Sequence, residues 1–134
     1  MTQLLALVRT YWVLLTLILL TIILLLSLYP LQALPTVPGT DKTHHFLAYF
    51  ALVMPMALRK PSYWPVVVLA FVLIGGGIEL LQPFVNRYGE WLDLTANTSG
   101  VICGFIVGQI INRLFPDTSL ETIECAKQEV IERE

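Results

Sequence analysis

The sequence predicts an all-α integral membrane bundle of four transmembrane helices with a short cytoplasmic C-terminal tail. Three observations predict it. Of 134 residues, 56% are hydrophobic and only 13% charged, the mean hydropathy is +0.72, and apolar runs of helical length recur between Pro- and Gly-rich breaks. Soluble domains carry roughly 25% charged residues, so this chain is too oily to be one. Residues 1–116 read as the membrane domain and residues 117–134 as the tail.

A bilayer-spanning helix needs roughly 20 mainly apolar residues, and residues 10–29 meet that with no charge at all. Arg9 precedes this run as in a secretory signal. The run is longer than the roughly 7–15 residues of a signal core, however, and no A-x-A site follows, so a retained anchor is expected. Pro30, Pro35, Pro38 and Gly39 then forbid a continuing helix and describe an extended crossing loop. The second span, residues 44–58, is short and polar at its start. Arg59, Lys60 and Pro61 turn the chain into a third span, residues 63–82, which Pro83 ends. Residues 86–89 supply turn chemistry before a fourth span, residues 93–114, which stops near Phe115 and Pro116.

Lys and Arg are retained on the cytoplasmic side of membrane proteins. With the N-terminus inside, the inner flanks hold Arg9, Arg59, Lys60, Arg113, Lys127 and Arg133, against Lys42 and Arg87 outside. Both termini are therefore expected in the cytoplasm. The tail is acidic and accounts for most of the net charge of -2, which consequently says little about partners. Thr118 and Glu121 are spaced as a capping box, with Leu120, Ile123, Ala126 and Val130 at helical spacing. A short amphipathic helix and a solvated tail both fit that pattern. Cys103 falls inside the fourth span and Cys125 in the tail, so no disulfide between them is expected.

In this topology the polar residues collect at the outer helix ends. Asp41 and Lys42 open the second span, with His45 and Tyr49 on successive turns below Asp41. Glu79 and Gln82 close the third span, Arg87 lies in the loop, and Asp93 and Asn97 open the fourth. Helix ends are where polar residues cost least, and an Asp there is favoured by capping and by the helix dipole. Lys42 can snorkel to headgroups and Arg87 can bind lipid phosphate. Glu79 and Asn97 resist that account, since each lies inside an apolar run where an ionised group costs up to about 3 kcal/mol. Gln82 and Asn97 also fit interhelical hydrogen-bond glue, worth about 0.6 kcal/mol. Adjacent helical residues point about 100° apart, so His44 and His45 do not face one site. His45 shares the face of Asp41 and Tyr49, which leaves His44 as interfacial.

Gly100, Gly104 and Gly108 form a small-residue stripe on the fourth span, suited to close helix packing within the chain or to an oligomer contact. Gly75, Gly76 and Gly77 give the third span a similar surface. Apposing the two is expected to bring Glu79 near Asp93 and Asn97.

The ordered strings Asp41-Lys42-x-x-His45-Phe46-x-x-Tyr49, Glu79-x-x-Gln82 and Arg87-x5-Asp93-x3-Asn97-x2-Gly100 resemble the signature of the VanZ-like membrane proteins. The resemblance covers residues 41–108. It departs at Asn86, where a Pro-Gly turn is common in such proteins, which affects the expected shape of the loop. It implies a small bacterial protein of the cytoplasmic (inner) membrane, related to one associated with resistance to the glycopeptide teicoplanin, and it supplies no mechanism.

Two functional classes fit these residues. In the first, an amphiphilic cell-envelope molecule, such as a lipid-linked intermediate, is bound or processed. Lys42 and Arg87 hold its phosphate or carboxylate while His45, Glu79 and Asp93 do acid-base work, with Asp41, Tyr49, Gln82 and Asn97 as further binding groups. In the second, the excess of Asp41, Glu79 and Asp93 over the two cations marks a proton or metal site. No dedicated metal motif is present, so no cofactor is expected, with zinc or manganese the option the ligand types allow. A folding or assembly partner whose polar cluster only locks helices together is the third reading. No nucleic-acid motif, phosphate-cradling Gly-rich loop or nucleophile elbow appears.

Overall fold

The computed structural model describes residues 2–29, 40–85 and 90–116, and the described residues are helical with no strand. The helices are α1 (Thr2–Thr10), α2 (Trp12–Leu28), α3 (Asp41–Arg59), α4 (Trp64–Leu81) and α5 (Trp91–Leu114), with a 3-10 turn over Gln82–Val85. The crossing loop, the Arg87 turn and the acidic tail lie outside the described residues.

The first segment is broken rather than single. α1 meets α2 at a bend of 74°. Gln3, Arg9 and Thr10 make α1 more polar than the apolar run that follows it. Arg9 instead turns inward and donates to Asn112 Oδ1 at 2.8 Å and to the Phe115 carbonyl at 2.6 Å. A guanidinium on the open end of α5 satisfies a carbonyl that the helix leaves without a partner and complements the helix dipole.

The four expected spans are also fewer by composition. Trp64–Val85 and Trp91–Leu114 are long and apolar enough to cross a membrane, and the bent α1–α2 pair makes a third if it counts as one span. α3 has 19 residues, a rise of about 28 Å, yet its polar first turns keep it outside that group. Its position explains how it tolerates them. α3 touches α1, α2, α4 and α5, and packs most extensively against α5. Tyr49, Leu52, Val53 and Met56 on α3 are nearly or wholly buried, and with Ile23, Phe71, Ile78 and Val101 they make the core.

The α3–α5 contact depends on the glycine stripe. A Cβ at Gly100 would strike the Phe46 carbonyl oxygen, and one at Gly104 would lie 2.5 Å from Val53 Cγ1. At Gly108 it would lie 2.6 Å from the Ala57 methyl. The surface that the sequence offers to a second copy is thus covered by α3 of the same chain. Nor does the stripe meet the glycines of α4. Gly75 seats the Tyr49 ring of α3, Gly76 has only Leu94 nearby, and Gly77 faces open space.

The surface is apolar where a soluble protein would be polar. Leu14, Leu25, Val66, Leu73, Ile102 and Ile106 are exposed, while His45, Glu79, Asp93 and Asn97 are buried. Tyr11 and Tyr63 are exposed at one end of the bundle, and Tyr29, Phe84 and Trp91 at the other. Between Tyr11 and Tyr29, the 17 residues of α2 rise about 26 Å, close to the hydrocarbon thickness of roughly 30 Å. Aromatic belts at such a spacing suit a protein seated in a bilayer.

At the Tyr11 end, α3 stops because Pro61 has no amide to offer the Ala57 carbonyl. Gln109 Nε2 and Asn112 Nδ2 donate to that oxygen instead, at 2.9 and 3.0 Å. Lys60 closes the helix in the left-handed region, at φ 47° and ψ 63°. An L-residue there costs roughly 1–2 kcal/mol, which glycine avoids. Lys60→Gly is therefore expected to stabilise the protein by about 1 kcal/mol. A lowered thermal midpoint in detergent would contradict this assignment.

Candidate functional site

At the opposite end, three helix ends converge. Thr40 caps α3, its hydroxyl accepting from the Thr43 amide at 3.3 Å, so Asp41 is not used as the cap. α5 begins after Glu90, and Asp93 lies in its first turn, with 1% of its surface exposed. Neither aspartate is explained by capping alone. α4 brings Glu79 to its last turn, and the 3-10 turn starts at Gln82.

The centre of the cluster is a chain of side-chain contacts. Asn97 Nδ2 donates to Glu79 Oε1 at 3.2 Å. Asn97 Oδ1 lies 3.1 Å from His45 Nδ1, which is also 3.6 Å from Glu79 Oε1. The other ring nitrogen, Nε2, lies 3.9 Å from Asp41 Oδ1. Lys42 reaches across from α3 to α5, with its Nζ 2.7 Å from Glu90 Oε2 and 3.7 Å from Asp93 Oδ1. The chain therefore runs from the exposed Asp41, through the buried imidazole and amide, to the buried Glu79.

Two carboxylate oxygens in this cluster, Glu79 Oε2 and Asp93 Oδ1, are buried without a hydrogen-bond partner among the described residues, as is the Tyr49 hydroxyl. Buried polar groups are ordinarily satisfied, because leaving one unpaired costs about 1–3 kcal/mol. Oxygens of this kind suit a proton, a cation or a hydrogen-bond donor carried by a ligand.

Of the residues singled out in the sequence, His45, Glu79, Asp93 and Asn97 meet in the buried cluster, with Asp41 and Lys42 at its rim. The expected nearness of Glu79 to Asn97 is present as a direct hydrogen bond between α4 and α5, although the glycines of α5 face α3 and not α4. Tyr49 lies deeper, on Gly75. Gln82 turns its amide to α2, donating to the Ser27 carbonyl at 3.5 Å. Arg87 is outside the described residues. His44, one position from His45, is only partly buried.

Sequence reasoning missed Glu90, the short-range partner of Lys42. Its only signal was a lone acid directly before Trp91. It also missed the network of Arg9, Gln109 and Asn112 at the far end, although two amides three residues apart late in an apolar helix are a signal of interhelical bonding.

Comparison with curated proteins and with solved structures finds no match. A protein-family model described as VanZ/LLP1 matches residues 4–112. That match runs through α1 and nearly all of α5, and so takes in every helix of the bundle and each described residue of the cluster. The chain belongs to the VanZ/LLP1 family.

Proposed function

We propose that the cluster binds, or processes, an amphiphilic cell-envelope molecule at the extracytoplasmic face of a bacterial cytoplasmic membrane. The observation that carries this reading is the pair of buried carboxylate oxygens on Glu79 and Asp93 that have no hydrogen-bond partner among the described residues, at one end of an otherwise apolar bundle. The orientation rests on charge. Arg9, Arg59, Lys60 and Arg113 belong to the end away from the cluster, while Lys42 is the described cation beside it, which by the positive-inside rule turns the cluster outward.

Phe84, Trp91 and Leu92 are exposed next to the cluster and give a lipid tail an apolar surface to lie on. The carboxylates accept hydrogen bonds from the hydroxyl, amide or amine groups of a headgroup. Lys42 and Arg87 are the cations available to a phosphate. His45, held between Asn97 and Asp41, is placed to take or return a proton in any acid-base step. A role in susceptibility to teicoplanin is part of this proposal and rests on family resemblance.

Mass spectrometry of lipids that co-purify with the chain tests the reading. The expected result is an enriched lipid class that falls away in Lys42→Gln or Arg87→Gln while folded yield is retained. A lipid profile identical to that of the bulk membrane in all three proteins would contradict it.

A further inference from the structure

Asn97 donates its amide to Glu79 Oε1, which turns its carbonyl oxygen to His45 Nδ1. Two facing acceptors would repel, so Nδ1 carries the ring proton and donates it to Asn97. In the neutral imidazole, Nε2 then presents a lone pair. That lone pair faces the Asp41 carboxylate across 3.9 Å. A cation or a proton placed between the two would satisfy both.

Asp93 supplies a third donor to the same place. One ligand atom each from Asp41, His45 and Asp93 lie within 4.8 Å of one another. Three ligands each about 2.1 Å from a common ion stand about 3.4–3.6 Å apart, so closing the widest separation takes a movement of up to about 1.4 Å. The half-exposed Asp41 side chain is placed to make it. Asp93 Oδ1 is buried without a hydrogen-bond partner among the described residues, and Lys42, 3.7 Å away, keeps its short contact for Glu90.

We propose that Asp41, His45 and Asp93 form a three-ligand site for a divalent transition-metal ion of the zinc or manganese class. Imidazole with two carboxylates suits those ions, and three protein ligands leave a coordination position open for water or a ligand oxygen. Behind the ring, Asn97 and Glu79 fill the outer shell that metal-binding histidines ordinarily have, fixing the tautomer and the ring plane. Charge agrees with this. Among the described residues of the cluster, the carboxylates Glu79, Glu90 and Asp93 outnumber the cation Lys42, which contacts Glu90 and Asp93, and a divalent ion offsets that excess. A proton shared between His45 and Asp41 is the competing explanation of the same geometry.

The experiment uses the full chain, purified in detergent, stripped with chelator and titrated with Mn2+ alone while the free-ion electron paramagnetic resonance signal is followed. The expected result is uptake of a single ion, competed by Zn2+, with a nitrogen coupling from the imidazole. His45→Gln is expected to remove that coupling, and Asp41→Asn to weaken binding by about tenfold or more. Should His45→Gln fail to fold, the half-exposed Asp41→Asn carries the test by affinity. A free-ion signal undiminished at millimolar Mn2+, or uptake unchanged in Asp41→Asn, would overturn the proposal. No lipid is added, so failure here leaves the envelope-molecule reading intact, and loss of lipid retention leaves the metal intact.

Discussion

Gly100→Ala is expected to remove most folded protein from detergent extracts. The added methyl would meet the Phe46 carbonyl oxygen and lie 3.0 Å from the Phe50 amide nitrogen. Both are backbone atoms of α3, so no rotamer change relieves the contact, and the two helices must separate. Overpacking ordinarily costs about 1–3 kcal/mol. Here the cost is expected near about 3 kcal/mol, because the α3–α5 contact also holds His45 against Asn97. Gly77→Ala is the control, since nothing lies within 4 Å of a Cβ there. Monodisperse yield on size exclusion checks the pair, and wild-type behaviour of Gly100→Ala would show that α3 and α5 do not pack in this register.

Asn97→Ala is expected to be the next most damaging change. It removes a single amide that bonds two buried groups, His45 Nδ1 and Glu79 Oε1, and leaves them only their 3.6 Å approach to each other. An average interhelical hydrogen bond in a membrane is worth about 0.6 kcal/mol. Two buried groups that lose their hydrogen-bond partner bring the expected loss to about 2 kcal/mol. Ser99→Ala, at an exposed hydroxyl that bonds the Thr95 carbonyl of its own helix, is expected to stay within about 0.5 kcal/mol of wild type. Unfolding in mixed detergents measures both. Equal small effects would mean that Asn97 is ordinary glue and that the cluster is loosely held.

Much of this architecture is legible in the chain because bilayer physics leaves few choices. Apolar length marks α4 and α5 to within two residues at each helix end, and the glycine stripe announces a close helix contact. The partner of that stripe was not legible. Gly100, Gly104 and Gly108 say that a backbone comes near, while the choice between α3 and α4 depends on how all the helices share one core. α1 was hidden for a similar reason. Nothing in residues 2–29 is a proline or glycine, and the bend follows from Arg9 reaching the end of α5, a contact more than 100 positions away in sequence.

The site divides in the same way. Glu79 and Asn97 stand out because polar groups in an apolar run need partners, and each proves to be the partner of the other. His45 was separable from His44 by helical periodicity alone. Gln82 could not be assigned from spacing, since three residues beyond Glu79 the chain has already tightened into a 3-10 turn and the amide swings to α2. Glu90 was invisible because an acid before a helix is ordinary, and only the fold carries Lys42 across to it.

The central claim is that these polar side chains are held for a ligand and not only for each other. Glu79→Gln tests it most directly, because glutamine keeps the shape of the side chain and still accepts the Asn97 hydrogen bond while removing the buried charge. Folded yield and the mass spectrum of retained lipid are measured on the same preparation. The expected result is wild-type yield with the enriched lipid class gone; full retention of that class in folded Glu79→Gln, or none in the wild-type chain, would contradict the account.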